Sequence, residues 1–175
     1  MNTTEINKVL TITEEVVKEH APLILKELGL DKDNDGILER ISVTSKVGED
    51  VPQGYCKVRI IRRNLLGEPV YIQGTAAIDL NPLAFLVRIN NKGRMKMMPK
   101  FIRSFLINGM ERYLRRLMTF VLAHELRHYQ QYYTGLYFEK EAHFGGASLM
   151  PYSMRWCEKD ANEFAKQYVK GAFKR

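Results

Sequence analysis

The segment VLAHELRHYQQ, residues 121–131, places His124 and His128 one helical turn apart, with Glu125 between them. Side chains four residues apart lie on the same face of an α-helix, so both imidazoles can reach one ion, at about 2.0–2.1 Å for zinc. Glu125 lies about 100° around the helix from His124, where it can contact a water beside the ion without binding the ion itself. The pattern H-E-x-x-H therefore predicts a metal site with a general base.

The same three fixed residues also occur by chance in many unrelated proteins, where the helix simply carries two histidines. Two features favour the metal site. The match lies inside a long predicted helix, 110–133, which Gly135 ends. The preceding residues FVLA, 120–123, are apolar, which indicates a buried helix with one face open to a cleft. A histidine pair buried there without a partner would be costly.

A catalytic zinc site usually has three protein ligands and a water. The continuation H-x-x-G-x-x-H is absent, because Gln131 and Thr134 occupy the positions of its glycine and last histidine. A glutamate on a later helix is the other common solution. The last predicted helix, roughly 153–170, offers Glu158, and Asn162 one turn on can hydrogen-bond a ligand histidine.

Other candidates for the site remain open at the sequence level. Asp160 or Glu163 can replace Glu158, because the helix register is inferred. His143, beside the glycine pair of EAHFGG, can act as third ligand or stabilise an oxyanion, although a surface histidine is the simpler interpretation. Further oxyanion candidates, among which the sequence does not choose, are Tyr132, Tyr133, Tyr152 and Arg155.

HELRH, followed thirty residues later by E-x-x-A-N-x-F-A, resembles the minimal gluzincin metallopeptidases. Among these it is most similar to the ImmA/IrrE-type and SprT-like proteins. The resemblance implies zinc as cofactor, His124, His128 and Glu158 as ligands, and Glu125 as catalytic base. Some relatives carry aspartate where this chain has Asn162. The resemblance covers roughly residues 70–170.

The same families precede the active-site helix with a strand that holds the substrate backbone. The segment AAIDLNP, 76–82, resembles that strand. The resemblance therefore implies that Ala77, Ile78 and Asp79 bind a protein or peptide substrate along an edge of the sheet.

The hydrophobic pattern predicts an α+β fold, in a single zincin-like domain spanning 1–175. Its expected parts are an N-terminal helix, an antiparallel or mixed sheet of three or four strands, the long helix carrying HELRH, and a C-terminal helix carrying the third ligand. The N-terminal helix is predicted at 12–28, with Thr11 and Glu14 as a capping box, Pro22 as a bend or break and Gly29 as the stop. The predicted strands are 37–46, 55–64 and 69–80, in an antiparallel meander with a kink at Gly74.

The composition limits the expected cellular location of the protein but identifies no binding partner. The 175 residues are 45% hydrophobic, and no segment approaches the roughly 20 apolar residues that span a bilayer. The polar N-terminus lacks the features of a secretory signal, and two cysteines are too few for a disulfide scaffold, so a cytoplasmic location is expected. The net charge of +7 permits nucleic-acid binding. The oligomeric state stays open.

Two further motifs, one acidic and one basic, give weaker indications of function. DKDNDG, 31–36, resembles the start of a calcium loop, but Ser42 stands where the bidentate glutamate should be, and a turn is the simpler interpretation. The basic segment 90–100 and RIIRR, 59–63, can form a positive patch, although no aromatic residues are interleaved for base stacking. The sequence thus favours a zinc peptidase. The alternatives are a non-cleaving zinc-bearing regulatory module and a peptidase recruited to nucleic acid.

Overall fold

The computed structural model describes residues 3–30, 36–46, 52–58, 60–63, 69–72, 74–84, 110–144, 151 and 155–174. Most of the candidate calcium loop (31–35), the basic segment 90–100 and Tyr152 lie outside these residues. In chain order the elements are α1 (Thr3–Glu27), a 3-10 helix (Ile37–Arg40), β1 (Ile41–Val43), β2 (Gly54–Lys57), β3 (Ile60–Arg63), β4 (Pro69–Tyr71), β5 (Ala77–Leu80), α2 (Glu111–Tyr133), α3 (Leu136–Phe144) and α4 (Trp156–Ala172). The predicted α+β class is confirmed.

The main sheet has three strands in the order β1-β5-β2. β5 is parallel to β1 and antiparallel to β2, with Ile78 opposite both Ile41 and Cys56. The sheet is therefore mixed, and the expected antiparallel meander is wrong because β5 lies between β1 and β2. β3 and β4 form a separate antiparallel pair.

All three predicted strands are shortened or divided in the structure. The segment 55–64 forms β2 and β3, which belong to different sheets. The other two change for local reasons. The segment 37–46 begins as a 3-10 helix after Gly36, whose φ of 67° is left-handed. The segment 69–80 is divided near Gly74, whose φ of 77° is accessible mainly to glycine. Gly74 turns the chain out of β4 and into β5, so the two halves of the predicted strand belong to different sheets.

α1 begins at Thr3, eight residues before the predicted capping box, so Thr11 lies inside the helix and caps nothing. Pro22 is exposed within the helix and does not end it. The predicted stop at Gly29 is confirmed. Its φ is 74°, and the N–H groups of Gly29 and Leu30 donate to Lys26 and Leu25 carbonyls at 3.0 and 2.8 Å. This is the Schellman pattern that ends many helices.

α2 is the centre of the fold, because it packs against α1, α4 and the inner face of the sheet. Its buried residues recur at the four-residue spacing of one helix face, and each contributes about 1.5–3 kcal/mol by burial. They are Leu114, Met118, Leu122 and Leu126. Ile78 and Leu80 of β5 and Val16 and Ile24 of α1 complete this core. Within the described part of the chain, no helix is long and apolar enough to span a membrane.

His20 joins α1 to α4 at the side of the core. Its Nδ1 and the hydroxyl of Tyr168 form a 3.1 Å hydrogen bond, and its ring stacks on Phe173. Burial lowers the pKa of His20, Glu19 opposes this effect and Arg115 adds to it, so the pKa lies below its usual value. The imidazole is therefore held neutral in the fold.

The lowered pKa of His20 predicts a loss of stability in mild acid. As the pH falls through about 6.5, the unfolded chain binds a proton at this position before the folded chain does. Stability from His20 is thus complete above that pH and declines below it, towards the lower folded pKa. We expect urea midpoints measured at pH 7.5 and 5.5 to differ less in His20→Gln than in the wild type. Equal differences in the two proteins would contradict the prediction, since all other titrating groups are shared.

Candidate metal centre

The imidazoles of His124 and His128 and the carboxylate of Glu158 converge on one point between α2 and α4. The two Nε2 atoms are 3.0 Å apart. Oε2 of Glu158 lies 3.3 Å from Nε2 of His124, and Oε1 lies 3.3 Å from Nε2 of His128. These three residues form a His/His/Glu triad that can hold a metal ion.

The spacing of these atoms fits a tetrahedral ion. Four ligands at about 2.0–2.1 Å from a central zinc lie about 3.3 Å from each other. The two Nε2 atoms here are 3.0 Å apart, and each lies 3.3 Å from a different oxygen of the Glu158 carboxylate. The chemistry of the donors also fits, because two imidazoles and one carboxylate are a common catalytic zinc set. Two ring nitrogens facing each other at 3.0 Å need a proton or a cation between them, since bare lone pairs repel.

Each ligand is positioned by the packing of its helix. His124 and His128 lie on the face of α2 that contacts α4, where both reach Glu158. Glu158 lies in the first turn of α4 and is 5% exposed. The helix dipole favours a carboxylate at this end. One turn further, the fully buried Ala161 offers no bulk that would separate α4 from α2.

Protonation of the site is set by burial and by its own charges. Burial lowers the pKa of His128, but hydrogen bonds to Glu158 and Gln131 outweigh it, so the pKa lies above its usual value. A proton therefore competes with a cation for the same lone pair. Metal binding must be weaker in acid than at neutral pH.

Glu125 is buried beside the triad, with 7% of its surface exposed. Burial raises its pKa, and this effect exceeds the opposing influence of the two histidines and of a hydrogen bond from the Cys56 backbone N–H. A carboxylate with a raised pKa accepts a proton more readily near neutral pH. Glu125 thus has the environment of a general base.

The strand that lies over Glu125 is β2. A Cβ atom at Gly54 would overlap Cγ1 of Val121 and lie 2.8 Å from Oε1 of Glu125. The missing side chain therefore lets β2 approach α2 closely enough for the Cys56 N–H to reach the Glu125 carboxylate. The sequence singled out neither Gly54 nor Cys56, because the strand beside the active-site helix was expected at 76–82.

The expected substrate strand needs correction. Ala77, Ile78 and Asp79 belong to β5, which is the central strand and pairs with β2 along its whole length and with β1 from Ile78 onward. Ile78 and Asp79 have a paired strand on both sides, so β5 has no free edge at these two residues for a substrate. Asp79 instead binds Ser42 and Lys57 on the outer face. Among the described strands, β2 lies at an edge of the sheet and contacts Glu125.

The residue that holds a ligand histidine also differs from the expectation. Nδ1 of His128 is 3.0 Å from Oε1 of Gln131, and Nδ1 of His124 is buried with no hydrogen-bond partner among the described residues. Asn162 therefore bonds neither imidazole. The signal in the sequence was the glutamine three residues after His128, which comes to the same side of the helix one turn later.

Asp160 and Glu163, the alternative third ligands, have other partners in the structure. Asp160 forms an ion pair with Arg127, and Oε1 of Glu163 accepts a hydrogen bond from Gln167 on the exposed face of α4. His143 falls in α3, not in a loop, and its side chain lies outside the described part of the structure. Its predicted role stays a prediction.

The tyrosines at the end of α2 are packed in aromatic clusters. Tyr133 contacts Tyr71 and Tyr129. Tyr132 stacks on Tyr137 with ring centres 4.5 Å apart, and burial raises the pKa of its hydroxyl. A hydroxyl that stays protonated can act only as a hydrogen-bond donor or acceptor, not as a base.

Comparison with known proteins identifies no relative of this chain. The chain matches no protein-family model, no curated protein and no solved structure. The zincin-like interpretation therefore depends on the H-E-x-x-H…E pattern and on the convergence of His124, His128 and Glu158.

The close approach of β2 to α2 predicts a cost for any side chain at position 54. In Gly54→Ala the added methyl overlaps Val121 and Glu125, so we expect a loss of about 1–3 kcal/mol in the free energy of unfolding. Gly171→Ala is the matched control, because nothing lies within 4 Å of its Cβ position. We expect the control to stay within about 0.5 kcal/mol of the wild type in urea unfolding. Equal stability of both variants would contradict the close contact.

Proposed function

We propose that this protein is a zinc-dependent peptidase of the gluzincin type. The observation that carries the proposal is the convergence of His124, His128 and Glu158 at ligand spacing, with the buried Glu125 beside them. A structural zinc site is ordinarily closed by four protein ligands, whereas three protein ligands leave a position for water or substrate. The described residues offer three.

Zinc bound by these residues supplies Lewis acidity, which activates water and polarises a carbonyl group. Two imidazoles and one carboxylate suit zinc better than calcium or magnesium, which prefer oxygen ligands alone. The remaining chemistry belongs to residues of this chain.

Glu125 moves the proton. In the proposed reaction it accepts a proton from the attacking water and delivers it to the nitrogen of the leaving amine. Its burial supports this role, because the raised pKa brings the carboxyl group closer to the pH at which it must both accept and release a proton. The Cys56 N–H holds the carboxylate on the side of β2.

The substrate backbone is proposed to lie along β2. In an antiparallel pair, alternate residues turn their backbone N–H and C=O groups away from the partner strand. The N–H of Asn81 donates to the carbonyl of Gln53 at 2.7 Å, so the groups of Gly54 and Cys56 turn outward, towards Glu125. Among the described strands, none pairs with this side of β2. An extended peptide can add there by hydrogen bonds to the outward backbone groups of β2 other than the Cys56 N–H, which Glu125 accepts, with weak sequence selectivity.

The ligand set predicts the metal content of the purified protein. Near-equimolar zinc is expected in the wild type by elemental analysis, and little in His124→Ala or Glu158→Ala, because each variant leaves only two ligands. Glu163→Ala is the matched control, as an exposed carboxylate on the same helix, and should keep its zinc. A wild type without zinc, even after zinc is supplied, would end the proposal.

The role of Glu125 predicts a variant that keeps zinc but loses catalysis. Glu125→Gln retains the shape of the side chain and loses the proton acceptor, so we expect zinc to remain bound and cleavage to fall about 10²–10⁴-fold. Mass spectrometry of a proteome-derived peptide library can compare both proteins, with Glu163→Gln as control. Full activity in Glu125→Gln would refute the mechanism. Zinc binding without cleavage by the wild type would favour the non-cleaving regulatory module.

A further inference from the structure

Beyond the triad, three polar side chains form a continuous chain of contacts that starts at His128 and leads to the outside of α2 and α4. We propose that Gln131, Asp160 and Arg127 form a positioning relay that keeps the proton of His128 on Nδ1 and leaves Nε2 free to bind a metal ion. The relay rests on the proposed function, since it assigns positioning residues to the same site.

The first step is the orientation of the Gln131 amide. Gln131 is fully buried, and its Nε2 lies 2.7 Å from Oδ2 of Asp160 and 3.2 Å from the carbonyl oxygen of Cys157. A carbonyl oxygen only accepts hydrogen bonds, and the same is true of a carboxylate paired with an arginine. The amide must therefore point both N–H groups at α4. The reversed amide would set its oxygen against two acceptors.

The second step follows from the first. With its N–H groups directed at α4, Gln131 presents Oε1 to Nδ1 of His128 at 3.0 Å. An amide oxygen only accepts, so Nδ1 must carry the hydrogen and donate it. In a neutral imidazole the other nitrogen, Nε2, then has a free lone pair. That atom is the one that faces His124 and Glu158.

The third step is the anchoring of Asp160. Its carboxylate accepts hydrogen bonds from Nε and Nη2 of Arg127 at 2.7 and 3.0 Å, which is a two-point contact of fixed geometry. Arg127 also donates to the side chain of Gln130, and its guanidinium lies 5.7 Å from the centre of the Phe164 ring. The negative charge that orients Gln131 is thus held in one place.

The relay acts on only one of the two histidines. Nδ1 of His124 is buried without a hydrogen-bond partner among the residues described, so nothing comparable selects its tautomer. Arg127 and Asp160 are neighbours of ligands in the sequence, next to His128 and two residues after Glu158. The contact between them therefore also sets how the two ligand-bearing helices lie against each other.

Two variants separate the relay from simple packing. In Asp160→Asn the shape is kept, but the negative charge is lost and one of the two acceptors that orient Gln131 can become a donor, so only the Cys157 carbonyl still opposes the reversed amide. In Gln131→Leu the acceptor is removed altogether, at a risk to folding that the half-buried Asp160 does not share. Glu163→Gln is the matched control, because it changes an exposed carboxylate of α4 with no contact to the relay.

The test has two readouts. The first is the imidazole ¹⁵N NMR spectrum of His128 in chelator-treated protein at pH 8.5, where the wild type should show hydrogen on Nδ1 and Asp160→Asn a loss of that preference. The second is zinc affinity by competition with a chelator, where both relay variants should bind about 10–100-fold more weakly and Glu163→Gln should equal the wild type.

The outcomes distinguish the relay from the function it serves. Hydrogen on Nε2 but not on Nδ1 of His128 in the wild type would overturn the relay, and so would zinc affinity in both relay variants within threefold of the wild type. A wild type that binds no zinc would overturn the peptidase proposal instead. In that case the NMR spectrum alone still decides whether Gln131 and Asp160 select the tautomer.

Discussion

The packing of α4 against α2 is the constraint on which the candidate site depends. It brings the carboxylate of Glu158 against two imidazoles one helical turn apart, at a depth where few charges are tolerated. A buried carboxylate is stable there only with partners of complementary charge or with hydrogen-bond donors. The histidines provide such partners when protonated, and a cation does so when they are neutral. The helix pair and the site are therefore stabilised together.

The polar groups around the triad also connect the site to the rest of the fold. Glu125 receives the backbone N–H of Cys56 from β2, and Gln131 donates to the Cys157 carbonyl of α4. Gln130 donates to the Leu28 carbonyl at the end of α1, 2.6 Å away. Each contact satisfies a polar group that would otherwise be costly to bury. A change in the position of β2, α4 or α1 should therefore alter the geometry of the site.

Several features could be predicted from the sequence because they depend on neighbours in the chain. The extent of α2, the stop of α1 at Gly29 and the turn at Gly74 follow from helical periodicity and from the backbone freedom of glycine. The errors share a different origin. The start of α1, the order of the strands and the choice of β5 as substrate strand all depended on contacts with distant residues. The outer partner of His128 was likewise assigned to Asn162 instead of Gln131.

The sequence by itself determined that two histidines and a glutamate share one helix at metal-site spacing, since that is a matter of helical geometry alone. It also indicated Glu158 as third ligand, through a pattern on a second helix. Only the tertiary structure decided that Glu158, and neither Asp160 nor Glu163, reaches the histidines, because the rotation of α4 against α2 is set by packing. Tertiary structure alone also put β2 beside Glu125 at an edge of the described sheet, since strand order is a property of the folded sheet and not of local sequence.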